Sequence, residues 1–359
     1  MNSLLRRLRS ALWEKALWRA AKELTVASNE FVTFHRRPKY AAEIGTWSDP
    51  GAALERCAIV MQGPPHREDN FTVESLSLYK RLYPSAVLYL STWTDADSVL
   101  LEELGAMGVT VIRCEKPSMP GLFNLNMQLV TSHAGVAAAH AAGAEWILKT
   151  RTDQRMYSPN ALQYLIELAR TFPPADADKQ RHRIIGVGRG TLKYAPYHLS
   201  DQTVFGHSDD MLAYWNAPLR NEAAPPEWPT KLADIFSEVS VLDLCRRGAA
   251  EPYLTSSYLE RIGRPLQWTL EDSWAAFRDH FCIADYETTD LYWHKAQAAS
   301  LQEFDYHYRF INNRREFGFR DWLLLYKGSL RPSQAELHNS AMGSRFVAEV
   351  QRPADSAVR

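Results

Sequence analysis

From Cys57 onward, short apolar runs alternate with stretches whose apolar residues recur at helical spacing. Cys57-Ala58-Ile59-Val60-Met61 is a continuous apolar run, the pattern of a strand covered on both faces. Residues 70–82 carry Phe71, Leu76, Tyr79 and Leu82 at helical intervals, and Pro84 closes that unit. Ala86–Leu90 predicts a second strand that breaks at Ser91-Thr92-Trp93, and Val99–Met107 a short helix stopped by Gly108. Val109–Ile112 predicts a third strand, residues 125–142 a long Ala-rich helix after Pro117 and Pro120, and Trp146–Leu148 a fourth strand. Such strict alternation predicts an α/β fold: a largely parallel central sheet flanked by helices, joined by right-handed crossovers.

The second half is less regular. Residues 160–171 and 208–216 read as helices, Arg183–Val187 and Gln202–Phe205 as strands, and Pro-rich 218–229 as a loop. Residues 230–262 are mainly helical, after which the pattern fades into a polar tail from about 331. The Gly186-Val-Gly-Arg-Gly-Thr run is not GxGxxG and no long helix pattern follows it, so it receives no dinucleotide role. At the other end, Leu4, Leu5, Leu8, Leu12, Trp13, Leu17 and Trp18 recur near helical spacing between arginines and lysines. They predict an amphipathic helix over 3–26, either packed on the domain or touching an anionic membrane surface. The expected organisation is an N-terminal helix and linker (1–55), a domain over 56–330 with a nucleotide-binding half (56–156) and an acceptor half (157–330), and a tail (331–359).

Composition narrows the classes. Apolar residues make up 46% of the 359, enough for a sizeable core. Lys+Arg at 41 against Asp+Glu at 42 argues against nucleic acid as a partner. The balance is uneven: residues 1–40 hold nine Lys/Arg and three Glu, so the remainder is net acidic. Cys57, Cys114, Cys245 and Cys282 lack CxxC spacing and read as buried thiols, not a disulfide framework or a zinc site. No apolar run reaches the length of a membrane span, and no continuous apolar segment makes a secretory signal. A cytoplasmic protein, at the inner face of the inner membrane if residues 3–26 bind lipid, is the expectation.

Candidate chemistry gathers where ligands bind in open α/β sheets, beyond the carboxyl ends of the strands. Gln62-Gly63-Pro64-Pro65 ends the first strand, and Arg67 lies just before the next helix, whose N-terminus favours anions. Gly63 permits close backbone approach. Asn126 and Gln128, at the mouth of the 125–142 helix, are amides suited to a base or a sugar hydroxyl, or to capping. After the fourth strand come Lys149, Arg151, Asp153 and Arg155, which an extended chain places on one face. One carboxylate among three cations suits a diphosphate, alone or with Mg²⁺ or Mn²⁺ held partly by Asp153. The Asp-X-Asp pattern of metal-dependent sugar transfer is not met, because Arg155 stands in the second place. Asp201 and Glu251 are candidate bases for an acceptor hydroxyl, and His294 is a candidate late metal ligand near Asp153.

Ile59–Pro64, Leu90–Trp93, Asn126–Gln128, Leu148–Arg155, Ser200-Asp201, Phe205-Gly206 and Asp210-Met211 together resemble the bacterial lipopolysaccharide-synthesis family called WavE. The likeness runs from about residue 57 to 216 and weakens to about 326. It implies a GT-A-like glycosyltransferase domain acting in outer-polysaccharide assembly, with Asp153 where such folds meet the nucleotide diphosphate. A nucleotide-sugar donor and a lipid-linked saccharide acceptor follow as expected partners. The competing readings are a sugar nucleotidyltransferase and a non-catalytic membrane-associated scaffold with a degenerate sugar pocket.

Overall fold

The computed structural model describes residues 3–27, 35–45, 56–187, 190–296 and 316–333. The chain divides into two units, Met1–Pro38 and Lys39–Arg359. The expected boundary near residue 55 therefore moves, because residues 39–45 are tied to the helix Phe71–Leu82. Ala41 N–H donates to Glu74 Oε2 (2.7 Å), and the Arg81 guanidinium donates to the carbonyls of Ala41 and Ile44. Residues 46–55 of the expected linker, and the tail beyond 333, lie outside the described residues.

Among its described residues, the first unit contains one helix, α1 (Ser3–Ala27). It is a helix as expected, yet not amphipathic. Trp13 and Trp18 are five residues apart and so project about 140° from each other round the axis. Both are exposed, as are Leu12, Leu17, Leu24 and Val26. No helix among the described residues is long and apolar enough to cross a membrane.

The second unit is mixed α/β, with a largely parallel seven-stranded central sheet flanked by helices. Its elements begin β1 (Cys57–Gln62), α2 (Phe71–Leu82), β2 (Val87–Trp93), α3 (Ser98–Ala106), β3 (Thr110–Cys114), α4 (Leu125–Ala141) and β4 (Trp146–Arg151). They continue with β5 (Gln154–Met156), α5 (Ala161–Thr171), β6 (Ile184–Val187), β7 (Thr203–His207) and α6 (Ser208–Trp215). Three helices, α7 (Leu232–Glu238), α8 (Val241–Arg247) and α9 (Ala250–Arg261), fill the expected helical region. Beyond it, where the pattern faded, lie α10 (Leu270–His280), β8 (Phe281–Ala284), β9 (Leu291–Trp293) and a last helix, Phe319–Tyr326.

The strand order is β3-β2-β1-β4-β7-β6-β8. The first four run parallel, β7 is antiparallel to β4 and β6, and β8 is parallel to β6. All six residues of β1 are buried, as a strand covered on both faces requires. The four cysteines are free and buried. α4 lies close on the sheet because Gly135 has no side chain: a Cβ there would stand 2.4 Å from Val60 Cγ1. Two strands run three residues further than expected. β2 continues through Ser91-Thr92-Trp93, and β4 through Lys149-Thr150-Arg151.

This topology decides where chemistry collects. β1, β2 and β4 end at one edge of the sheet, and β7, running the other way, begins there, with Val204 opposite Lys149. The segments 62–67, 151–155 and 200–202 and the N-terminus of α4 therefore share that edge.

Candidate active site

At the end of β4 the chain turns at Thr152-Asp153 and enters β5, which pairs with β9 in a separate two-stranded sheet. That turn separates the four charges expected on one face. Asp153 is buried, and its carboxylate accepts two hydrogen bonds from Arg151, from Nε (2.9 Å) and Nη2 (3.0 Å). Trp293 Nε1–H donates to Oδ2 at 3.1 Å, and Lys295 Nζ lies 3.6 Å away. Burial alone would raise the Asp153 pKa, but Arg151, Trp293 and Lys295 outweigh it and hold the group near about 2. Asp153 is thus the anchor of a fork, with Arg151 partly open to solvent at its other edge.

Arg155 points elsewhere. It is fully buried and donates to Ser75 Oγ (2.8 Å) and to the carbonyls of Phe71 (2.9 Å) and Lys39 (2.8 Å), with its guanidinium over the Phe71 ring. It stitches β5 to α2 and cannot meet a diphosphate beside Asp153. His294 is also displaced from its expected role. Only its backbone N–H reaches Asp153, donating to the carbonyl at 2.9 Å, while its ring stacks on Phe71 and turns to Glu68 (3.2 Å). Among the described residues no three His, Cys, Asp or Glu side chains gather to hold a metal. A single carboxylate already engaged by Arg151 and Trp293 is a poor donor set for a protein-held divalent cation.

The first strand's loop is structural as well. Gly63 has φ +112°, and a Cβ on it would meet Thr152 Oγ1 at 3.1 Å. What approaches this glycine is Thr152, whose hydroxyl donates to Pro64 O (2.7 Å). The buried Gln62 accepts from Thr131 Oγ1 (2.8 Å). The exposed Arg67 is paired with Asp97. Glu68–Asn70 forms a separate 3-10 turn, and Asn70 enters α2 with φ 53° and no side-chain cap. With Glu68 and Asp69 there, that helix start is no anion site. Asn126 is buried and clamps the 218–229 loop: its side chain bonds the carbonyls of Met119 and Arg220 and accepts from Arg220 N–H. It is unavailable to a base or a sugar.

On the other side of Arg151 stands a second cluster. Lys149 is fully buried, donates to the carbonyls of Asp201 (2.7 Å) and Gln202 (3.4 Å), and lies over the Trp215 ring. Burial pulls its amine down to about 7 despite the opposing pull of Asp201. Gln128 Nε2 also reaches the Asp201 carbonyl (3.4 Å). The Asp201 main chain is thereby fixed at the start of β7. Its carboxylate is nearly buried and accepts no hydrogen bond among the described residues. Beside it lies Glu251, in the first turn of α9, with His198 Nε2 at 3.7 Å. The Glu251 side chain is 28% accessible; burial first, then the Asp201 charge, raises its pKa. Arg151 lies between the two clusters. Burial would lower its pKa, but Asp153, then Asp201 and Glu251, push it up.

The fold therefore brings together Arg151, Asp153, Lys149, Asp201, Glu251 and Gln128, and excludes Arg155, Asn126 and the His294 ring. Three further participants lie outside the candidate site residues. His66 is half-buried and lies within the fields of Asp153, Lys295, His294 and Arg151; burial lowers its pKa. Trp293 and Lys295 arrive from β9 and the turn after it. A cationic strip of Arg151 and Lys295 backed by Asp153, next to an acid pair, can neutralise an anionic leaving group and accept a hydroxyl proton.

Comparison with curated proteins returned no match. Among solved structures, a mannose-1-phosphate geranyltransferase from Thermus thermophilus is similar at 13% identity and TM-score 0.28, over 47% of this chain. The chain spans 65% of the length of that protein, less than two thirds. A CMP:2-keto-3-deoxy-manno-octonic acid synthetase complexed with CTP is similar at 12% identity and TM-score 0.27, over 46% of this chain and 78% of that one. A point mutant of UDP-glucose pyrophosphorylase from Leishmania major is similar at 9% identity and TM-score 0.33, over 76% of this chain and 77% of that one. At these scores the likenesses carry no argument about chemistry. The resemblance carried by the Lys149–Asp153 run and its companion segments does hold: residues 57–233 match the family model described as WavE lipopolysaccharide synthesis.

Proposed function

We propose that this chain is a glycosyltransferase. It moves a sugar from a nucleotide-sugar donor onto a lipid-linked or lipopolysaccharide or capsule saccharide, at the cytoplasmic face of the membrane. The family match supports a nucleotide-sugar-related role in lipopolysaccharide synthesis. The observation that carries the finer reading is the Asp201 carboxylate: nearly buried, unbonded among the described residues, and next to Glu251 and the Arg151–Asp153 fork. Asp201 takes the acceptor hydroxyl proton as the new C1–O bond forms and the bond from C1 to the phosphate oxygen breaks. Arg151 and Lys295 offset the charge that develops on the departing nucleoside diphosphate. Glu251, whose pKa burial and the Asp201 charge raise, is the neighbouring carboxyl on the same edge. Asp153 holds Arg151 in place. Any Mg²⁺ or Mn²⁺ would be carried by the donor's own phosphates, since this donor set does not hold one.

The test is transfer of radiolabelled sugar from a panel of nucleotide-sugars to a bacterial lipid-saccharide extract. Asp201→Asn should lower transfer at least about a hundredfold with an unchanged melting temperature. Full transfer in that variant removes Asp201 as the base. Pyrophosphate release from a nucleoside triphosphate and a sugar phosphate would identify a nucleotidyltransferase instead.

A further inference from the structure

Between the N-termini of α4 and α9 lies a cavity of about 260 Å³, lined among others by Leu122, Leu125, Arg220, Glu222, Arg247 and Gly248. It is smaller than a drug-sized site of roughly 300–1,000 Å³, so it suits one ring and its substituent. Two short segments join it to the acid pair. Gly248 precedes Glu251 by three residues at the start of α9. From Leu125, the first turn of α4 leads to Gln128, which touches Asp201.

Its two cations differ. Arg247 is engaged by Glu227 at 2.6 Å and Asp243 at 3.2 Å. Arg220 meets only Glu222 among the described carboxylates, at 3.5 Å, and Glu222 is 79% exposed. Such a pair is weak and exchangeable. The Arg220 side chain is otherwise shielded and lies over the Tyr253 ring, and its backbone is locked by Asn126. A preset guanidinium at the rim of a partly apolar cavity, with an exchangeable partner, is built to take an anion on a carbon ring.

We propose that this cavity is a subsite for an anionic sugar, phosphorylated or carboxylated, of the acceptor saccharide. Calling the ligand an acceptor rests on the glycosyl-transfer reading; the anion recognition does not. Ligand-detected NMR titrations with glucose 6-phosphate, glucuronate and glucose test it directly, with the nucleotide-sugar panel run on the same samples. At least one of the two anionic sugars should bind and glucose should not, and which one binds tells phosphate from carboxylate. Arg220→Met should weaken that binding at least about tenfold without changing nucleotide-sugar binding. Glu222→Gln, at an exposed position, should tighten it about twofold to fivefold. Equal binding of glucose, anionic-sugar binding unchanged in Arg220→Met, or no anionic sugar bound at all overturns the subsite. If nucleotide-sugars bind while the anionic sugars do not, the subsite falls and the donor reading stands. If the anionic sugars bind and no nucleotide-sugar does, the anion site stands and its assignment to an acceptor falls.

Discussion

Asparagine at Asp153 is the most informative single change to the cationic fork. The carboxylate is 2% exposed and takes hydrogen bonds from Arg151 Nε and Nη2 and from Trp293 Nε1. Its pKa falls from the ordinary 3.8 to about 2. At about 1.4 kcal/mol per pH unit, that difference is worth about 2 kcal/mol of folding stability. The sign follows from a depressed carboxylate: the contribution is fully present above about pH 4, and it is lost as the pH falls towards about 2. Asparagine removes the charge and turns an amide N–H toward the Arg151 donors, so it should destabilise by about 3 kcal/mol or more at pH 7. Urea unfolding of both proteins at pH 7, 5 and 3 reads this out. The gap between wild type and Asp153→Asn should be large at pH 7 and 5 and narrower at pH 3. A gap that does not change with pH, or no gap at all, would refute the ion-pair reasoning.

Three further outcomes follow from the same geometry. Arg155→Met should cost about 3 kcal/mol or more, since it strands buried acceptors at Phe71 and Lys39, yet leave nucleotide-sugar affinity unchanged when measured by titration well below the melting temperature. Lys149 has a folded pKa of about 7 against an ordinary 10.5, so the unfolded chain binds more protons between those values. Stability should therefore rise with pH from about 7 upward, and Lys149→Met should abolish that rise in urea titrations between pH 7 and 10. The exposed Trp13 and Trp18 among the N-terminal cations predict that deleting residues 1–26 lowers sedimentation with anionic liposomes; unchanged sedimentation removes the membrane contact.

The sheet was legible because its central strands are continuous apolar runs. Ile59-Val60-Met61 and Trp146-Ile147-Leu148 have few alternatives once helix-spaced stretches separate them. Polar strand residues hid their own extension. Lys149 and Thr150 look like loop residues, and only the partners at Asp201 and Thr203 make them tolerable inside a sheet. The same blindness misplaced Arg155. Alternation was carried through residue 155, but Thr152-Asp153 turns the chain into a second sheet whose other strand, Leu291–Trp293, is remote in sequence. β8 was missed because a four-residue apolar run, Phe281–Ala284, has no periodicity to read. Asp201 and Glu251 were each recognisable as candidate acids. That they are neighbours, with Arg151 between them and Asp153, is a property of β7 running antiparallel to β4 and of α9 packing on α6. His66 and Lys295 had no local signal, and Trp293 was one aromatic among many in the second half. Asn126 and Gly63 carried the right signal for the wrong reason: each serves a close approach of protein to protein.

The central claim is that Arg151 and its neighbours receive the diphosphate of a nucleotide-sugar. Ligand-detected NMR of the purified chain against UDP-, GDP-, CMP- and dTDP-sugars, each with and without Mg²⁺ or Mn²⁺, tests it most directly. One nucleotide class should bind through base and diphosphate, and Arg151→Met should abolish that binding while Arg155→Met retains it. Silence across the panel, or binding indifferent to Arg151, would contradict the account.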